Sequence, residues 1–399
     1  MNGFTEDLAG RLEELRAQGQ LRNLVPVRHL GGARIKVAGQ RFINLASNDY
    51  LGLATDPALC ATFYEQRQGD EQLATCGLGS TASRLMTGNT EPCAQFEEEL
   101  ASYYQQEAAL LFNSGYHLNV GLLPALSTKE DLILADKLCH ASLIDGMRLS
   151  RAKVLRYPHL DYAAIDRILV RERAQHRHVF LVSESIFSMD GDCANLPELV
   201  RLKKKWGAVL YLDEAHGVGI RGAGGRGLAE EQGVLADIDL LIGTCGKAYG
   251  GMGAFVVAER SIIDYLVNSA RPQIFSTGLP PVSVEWLRFV LARIPLLKAK
   301  RQQVAELAER LRAALRTKGL ATMGSSNIVP VLIGDASRTL SVAQQLRAQG
   351  YWVTAIRPPT VPQGSSRLRL SLNASMTWAE LAPLAGLIAQ AVAKTETTA

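Results

Sequence analysis

The sequence predicts an α/β protein: a mostly parallel seven-stranded sheet with a smaller α+β unit at the C-terminus. Three observations carry that prediction. From residue 108 onward, seven short apolar runs alternate with segments long enough for crossover helices. Several runs are apolar at consecutive rather than alternate positions, as parallel strands covered on both faces are. The tract STGLPP at 276–281 then interrupts the rhythm and opens a different pattern.

Taken in order, MNGFTEDLAGRLEELRAQGQ carries acids early and spaces Leu8, Leu12 and Leu15 as i, i+4, i+7. That is an amphipathic helix and not the basic-then-apolar profile of an export signal. The candidate strands are AALLF (108–112), DLILAD (131–136), KVLRY (153–157), VFLVSES (179–185), AVLYLDE (208–214), DLLIGT (239–244) and GAFVVAE (253–259). A long amphipathic helix is expected over roughly 283–318. Beyond it NIVPVLIG, YWVTAIR and SRLRLSL read as strands, with helices over 340–349, stopped by Gly350, and 377–394, and KTETTA as a frayed tail. The expected organisation is an N-terminal extension (1–45), a large α/β domain (46–281) and a small α+β domain (282–399).

The 399 residues are 47% apolar and 21% charged, the balance of a soluble globular protein. Its most apolar tracts are broken by charges well before bilayer-spanning length, so no membrane partner is expected. Six cysteines lie scattered without a C-x-x-C pair, which points to free thiols in a reducing cytoplasm. The seven histidines include no H-E-x-x-H, and no metal is expected. A net charge of +4 without a Lys/Arg block is too little to point to nucleic acid, which is not expected as a partner, and is mildly compatible with an anionic substrate.

In an open α/β sheet, ligands bind beyond the carboxyl ends of the strands, and the polar residues falling there form a short list. After AALLF, Asn113-Ser114-Gly115-Tyr116 opens a helix whose N–H groups suit a phosphate. VFLVSES leads to Glu184 and Ser188, AVLYLDE to Asp213 and His216, and DLLIGT to Thr244 and Lys247. A carboxylate ending a run as apolar as AVLYL needs a partner, because stripping its water costs several kcal/mol. Alone, Asp213 would read as a helix cap or the mate of an arginine, and Lys247, in GTCGKAYGG, as a lysine snorkelling out of a tight turn. Together they fit the two ends of pyridoxal 5′-phosphate: a carboxylate keeps the pyridine nitrogen protonated while a desolvated amine takes the aldehyde carbon.

The motifs SNDYLGL (47–53), LFNSGYHLN (111–119), DKLCHASLIDG (136–146), ESIFSMDGD (184–192), YLDEAHGVG (211–219), TCGKAYGG (244–251) and FSTGLPP (275–281) resemble, in order, those of the α-oxoamine synthases. These are fold-type I pyridoxal-phosphate transferases that join an acyl thioester to an amino acid with loss of carbon dioxide. The resemblance implies Lys247 as the lysine bonded to the cofactor, Asp213 on the ring nitrogen, His216 on the ring oxygen and His140 stacked on the ring. It implies cofactor and phosphate contacts from Gly115, Tyr116, Ser188 and Thr244, and a homodimer in which Ser276 and Thr277 reach the neighbouring phosphate. Arg22, Thr360 and Arg369 resemble substrate contacts, with Arg369 on the amino acid carboxylate, and a guanidinium fork suits that group. Period two alone would instead put Arg367 and Arg369 on the wet face of a half-buried strand.

Within the family, YWVTAIRPPTVPQGSSRLRLSLNA (351–374) is most similar to the biotin-pathway members, which use L-alanine and a pimeloyl thioester. The thioester's carrier, coenzyme A or an acyl carrier protein, leaves no mark in the motifs. Sibling enzymes such as glycine C-acetyltransferase or 5-aminolevulinate synthase are the nearest alternative. One departure stands out: the family's glycine-rich G-S-G-G-S-R reads Gly79-Ser80-Thr81-Ala82-Ser83-Arg84 here, bulk expected to narrow the acyl channel. Gly222-Ala-Gly224-Gly225-Arg-Gly227 spells the dinucleotide fingerprint G-x-G-x-x-G, but it follows no strand directly, which disfavours a nucleotide-binding oxidoreductase.

Overall fold

The computed structural model describes residues 3–69 and 75–396. By contact pattern it divides into two units: Met1–Asn48, Met189–Gly191 and Gln303–Ala399 form one, Asp49–Ser188 and Asp192–Gln302 the other. The N-terminal segment thus groups with the C-terminal hundred residues.

In the first unit, β1 (Arg28–His29), β2 (Arg34–Val37) and β3 (Gln40–Asn44) form an antiparallel ribbon. The second unit holds the large sheet. Its strands are β4 (Ala108–Phe112), β5 (Leu132–Asp136), β6 (Lys153–Tyr157), β7 (Val179–Glu184), β8 (Val209–Asp213), β9 (Leu240–Thr244) and β10 (Ala254–Ala258). They stand in the order β4-β10-β9-β8-β7-β5-β6, and only β10 opposes the others. Each lies inside the run from which it was predicted. Strands β4, β5, β7, β9 and β10 are buried at every residue, which is why they read as unbroken apolar runs, whereas edge strand β6 is mostly exposed.

One face is packed by the helices Gly115–Leu126 and Ala141–Leu149, whose Leu118, Leu122 and Leu143 join Ile133, Val182 and Val256 in the core. These helices touch backbone to backbone: a Cβ on Gly146 would lie 2.2 Å from the Asn119 carbonyl oxygen. Only glycine permits that approach, and it brings Asn119 and Ser142 within bonding reach of each other.

The rest of the first unit is built from β11 (Ile328–Gly334), β12 (Tyr351–Trp352), β13 (Thr354–Ile356) and β14 (Ser366–Ser371). The predicted strand YWVTAIR is two strands: β12 pairs parallel with β3, and β13 pairs antiparallel with β14 in a second sheet, β11-β14-β13. The expected 283–318 helix is also divided, into Pro281–Leu291, a 3-10 turn Ile294–Leu297 and Lys298–Thr317. Pro295, which lacks an N–H to donate, falls in the break. Pro383 likewise separates Trp378–Leu381 from Leu384–Glu396. Lys394 to Glu396 of the supposed tail belong to that last helix, and 397–399 lie outside the described residues. Helix Gly3–Ala17 forms as expected, with Leu8, Leu12 and Leu15 exposed on this chain.

No described helix is long and apolar enough to cross a membrane. All six cysteines are free thiols.

Candidate active site

The parallel strands end on one edge of the sheet, and the chemistry gathers there. Along that edge come the Gly115 turn after β4, Thr244 and Lys247 after β9, Asp213 and His216 after β8, Glu184 and Ser188 after β7, and His140 after β5.

Asp213 is 5% exposed and fully engaged: Oδ1 accepts from the Ala215 N–H (2.9 Å) and Oδ2 from Asn119 Nδ2 (2.8 Å). Asn119 is itself fixed, its Oδ1 accepting from the Tyr211 hydroxyl (2.7 Å) and its second N–H reaching Ser142 Oγ (3.0 Å). Ser142 Oγ lies 2.8 Å from His140 Nδ1, and the Ser142 N–H also donates to that nitrogen (3.2 Å). Followed donor by donor, the chain leaves His140 Nδ1 as acceptor and puts the neutral ring's proton on Nε2. His140 caps the helix Ala141–Leu149, and its ring borders open space. Loss of hydration against the pocket wall lowers its pKa, opposed by Asp213 and reinforced by Lys247.

His216, also 5% exposed, bridges two groups: Nδ1 lies 2.6 Å from the Tyr50 hydroxyl and Nε2 lies 2.7 Å from Lys247 Nζ. Glu184 faces Asp213 across the β7–β8 register and accepts the His140 N–H at 2.5 Å. Burial first, and then the Asp213 charge, push its carboxyl well above the usual range.

The phosphate end is a helix start. Ser114 caps the helix Gly115–Leu126 through the His117 N–H, leaving the first-turn N–H groups without helical acceptors, and Gly115 faces Thr244 Oγ1. Tyr116 is half exposed, its hydroxyl on Asp145 (2.6 Å). Asn113 Nδ2 donates to the Thr277 carbonyl (2.8 Å), and Thr277 pairs with Ser83, so the loop with Ser276 and Thr277 is tied to the G-S-T-A-S-R segment. In that segment Thr81 holds φ at +55°, a left-handed conformation that glycine adopts without cost.

The glycines around Lys247 pack closely against their neighbours. A Cβ on Gly243, Gly250 or Gly251 would fall 2.2 Å from Phe255, 2.6 Å from the Ala54 nitrogen or 2.6 Å from Leu287. They pack the loop; of the four, Gly246 alone would place a Cβ at ordinary contact distance, 3.7 Å from Thr244 Oγ1.

In the other unit, Arg22 Nη2 donates to Thr360 Oγ1 (3.2 Å), and both line a cavity of about 720 Å³ with Leu24, Trp352 and Arg357. Arg369 and Arg367 do not lie on a wet face. They sit in β14, the middle strand of its sheet, 7% and 5% exposed; Arg367 pairs with Asp190, and Arg369 donates to Asn48 Oδ1 (3.2 Å). Sequence reasoning assigned no role to Tyr50, Asn119, Ser142 or Tyr211, although each lies inside a motif it quoted.

The G-x-G-x-x-G loop binds its own chain. Glu230 accepts the Gly224 N–H (3.0 Å) and the Arg226 N–H (3.0 Å), so a carboxylate fills the place a pyrophosphate would take. Among the described residues no cluster of His, Cys, Asp and Glu has the arrangement of a metal site.

Glu214, next to Asp213 in sequence, is fully buried, with Oε1 on the Ala229 N–H (2.7 Å) and with Gly217 and Gly227 pressed against the carboxyl. Burial raises its pKa from 4.5 to about 7 despite the lowering effect of its hydrogen bonds. The folded state therefore holds a proton that the unfolded chain releases, and stability falls as pH rises from 4.5 to about 7. The loss is about 3 kcal/mol at 1.36 kcal/mol per pKa unit. Urea unfolding across that window should show Glu214→Gln lacking this part of the slope; equal slopes would refute the assignment.

A buried carboxylate, an amine on the next strand, a histidine joined to that amine and an open helix start together fit a phosphorylated pyridine aldehyde. The chain belongs to the aminotransferase class I and II family, whose model matches residues 40–388, and it is a fold-type I enzyme with pyridoxal 5′-phosphate as cofactor. A serine palmitoyltransferase from Sphingomonas wittichii superposes with a TM-score of 0.89 at 31% identity, covering 99% of this chain and 98% of that one. An SPT solved with PLP gives 0.89 at 28% over 99% of each.

Within that class the chain is an α-oxoamine synthase. It is 45% identical over 380 residues, 95% of this chain and 97% of the relative, to the 8-amino-7-oxononanoate synthase of Chlorobaculum parvum.

Proposed function

We propose that this chain catalyses the decarboxylative condensation of L-alanine with a pimeloyl thioester, giving 8-amino-7-oxononanoate, carbon dioxide and free thiol for biotin biosynthesis. The observation that carries this reading is the arrangement of Asp213, His216 and Lys247 at adjacent strand ends in a chain so similar to 8-amino-7-oxononanoate synthase.

When bound, pyridoxal phosphate supplies an electron sink for the amino acid α-carbon. Asp213 holds a proton on the ring nitrogen, and its two hydrogen bonds keep it aimed. Lys247, once free of the cofactor, takes the α-proton and later returns one to the product carbon, with His216 steering the amine. His216 also holds the ring oxygen, and His140 stacks on the ring in the tautomer its Ser142 contact sets. Gly115, Tyr116, Ser188 and Thr244 contact the cofactor and its phosphate, and Glu184 supports the His140 backbone.

In the division of labour we propose, residues 46–281 hold the cofactor while 1–45 and 282–399 select substrate. Arg22 and Thr360 serve the acyl donor and Arg369 the amino acid carboxylate. A second copy brings its Ser276 and Thr277 to the phosphate. The apolar surface this chain leaves open beside that loop supports a homodimer: Leu85, Met86 and Phe275 are 52%, 77% and 70% exposed.

Steady-state assays of alanine against glycine, each with pimeloyl-, acetyl- and succinyl-CoA and with a pimeloyl carrier protein, test the reading. Highest kcat/KM for alanine with a pimeloyl donor is expected; preference for glycine with acetyl- or succinyl-CoA would reassign the chain to a sibling activity. Arg369→Lys should raise KM for the amino acid by about 10–100-fold with a smaller change in kcat, since a charged hydrogen bond is lost. An unchanged KM would remove Arg369 from the substrate site.

A further inference from the structure

His159 lies in the loop after β6, outside every motif the sequence singled out. Its Nδ1 is 2.9 Å from Asp136 Oδ1 and its Nε2 is 2.7 Å from Asp192 Oδ2. A neutral imidazole has one N–H and would turn a lone pair toward one of these carboxylates, so the geometry itself calls for imidazolium. Burial opposes the charge, but the bonds and charges of Asp136 and Asp192 outweigh it and raise the pKa to about 10.

The two carboxylates differ in what they hold. Asp136, at the end of β5, is wholly buried and also accepts the N–H groups of Leu138 (2.8 Å) and Leu160 (3.0 Å), which makes it a fixed point on the sheet edge. Asp192 closes a small hairpin: Ile186 bridges Cys193, the Phe187 N–H donates to the Asp192 carbonyl (3.0 Å), and the Ala194 N–H to Ser185 (2.9 Å). The Phe187 ring meets the imidazole edge to face, with centroids 4.4 Å apart. Ser188 begins the tip of this hairpin.

We propose that His159 is a positioning residue: strapped between Asp136 and Asp192, it fixes the base of the 185–194 hairpin and so the place where Ser188 meets the cofactor. This rests on the reading of Ser188 as a cofactor contact.

Two measurements on the cofactor-free protein test it: backbone hydrogen exchange over 185–194, and the Kd for pyridoxal phosphate by fluorescence titration. His159→Gln and Asp192→Asn should each speed exchange at Phe187 and Ala194 by about tenfold or more, and weaken cofactor binding by a similar factor. Ser188→Ala should weaken binding and leave exchange as in the wild type. Asp192→Asn preserves side-chain shape and keeps the question answerable if His159→Gln does not fold. Wild-type exchange in the clamp variants overturns the proposal, and so does fast exchange with unchanged Kd, which would make the strap structural only. If Ser188→Ala binds cofactor as tightly as the wild type, the Ser188 reading fails, while the exchange rates still judge the clamp.

Discussion

Replacing Lys247 with alanine is expected to lower kcat by at least about 10³-fold, within the range that a positioned acid–base group contributes. The proposed mechanism gives the amine two tasks, attachment of the cofactor and movement of the α-proton, and both need the nitrogen that sits 2.7 Å from His216 Nε2. Lys247→Arg should be as inactive, because a guanidinium keeps its charge but cannot be deprotonated for either task. Thermal stability should hardly change in either variant, since the glycines around the loop do the packing and the lysine is only half-buried. An alanine variant turning over within tenfold of the wild type would contradict the assignment.

Asp213→Asn should separate binding from chemistry. The amide is nearly isosteric and its oxygen can still accept from Ala215, so the pocket and the Kd for cofactor should persist. What is lost is the carboxylate proposed to hold a proton on the ring nitrogen. The expected fall in kcat is about 10²–10³-fold, the scale of losing one preorganised electrostatic partner. The substitution also turns a donor toward Asn119 Nδ2, which must then rotate away from Ser142 or Tyr211. Asn119→Ala should therefore reproduce part of the loss. Full activity in Asp213→Asn would remove the residue from the ring nitrogen.

The large sheet was legible because burial on both faces leaves consecutive apolar residues, which a sequence displays directly. That same burial hid the truth about β14: its alternating arginines read as a wet face, yet the strand is covered on both sides and Arg367 is neutralised by Asp190. The division of YWVTAIR was invisible, since a strand's change of sheet is decided by what it meets and not by its own residues. Lys247 and Asp213 were legible as candidates only as a pair of polar groups falling together at the ends of apolar strands. Their supports were not. Asn119 meets Asp213 from 94 residues away and Tyr50 meets His216 from 166, and neither side chain is unusual for a helix or a loop. The packing role of the glycines near Lys247 was likewise out of reach, because a sequence shows that a side chain is missing and not which neighbour occupies its place.

One amine carries the proposed chemistry. Borohydride reduction of the purified cofactor-loaded protein, followed by peptide mapping, locates it directly. The expected result is a single pyridoxyl group on the peptide containing Lys247, absent from Lys247→Ala; an adduct on another lysine, or none at all, would contradict it.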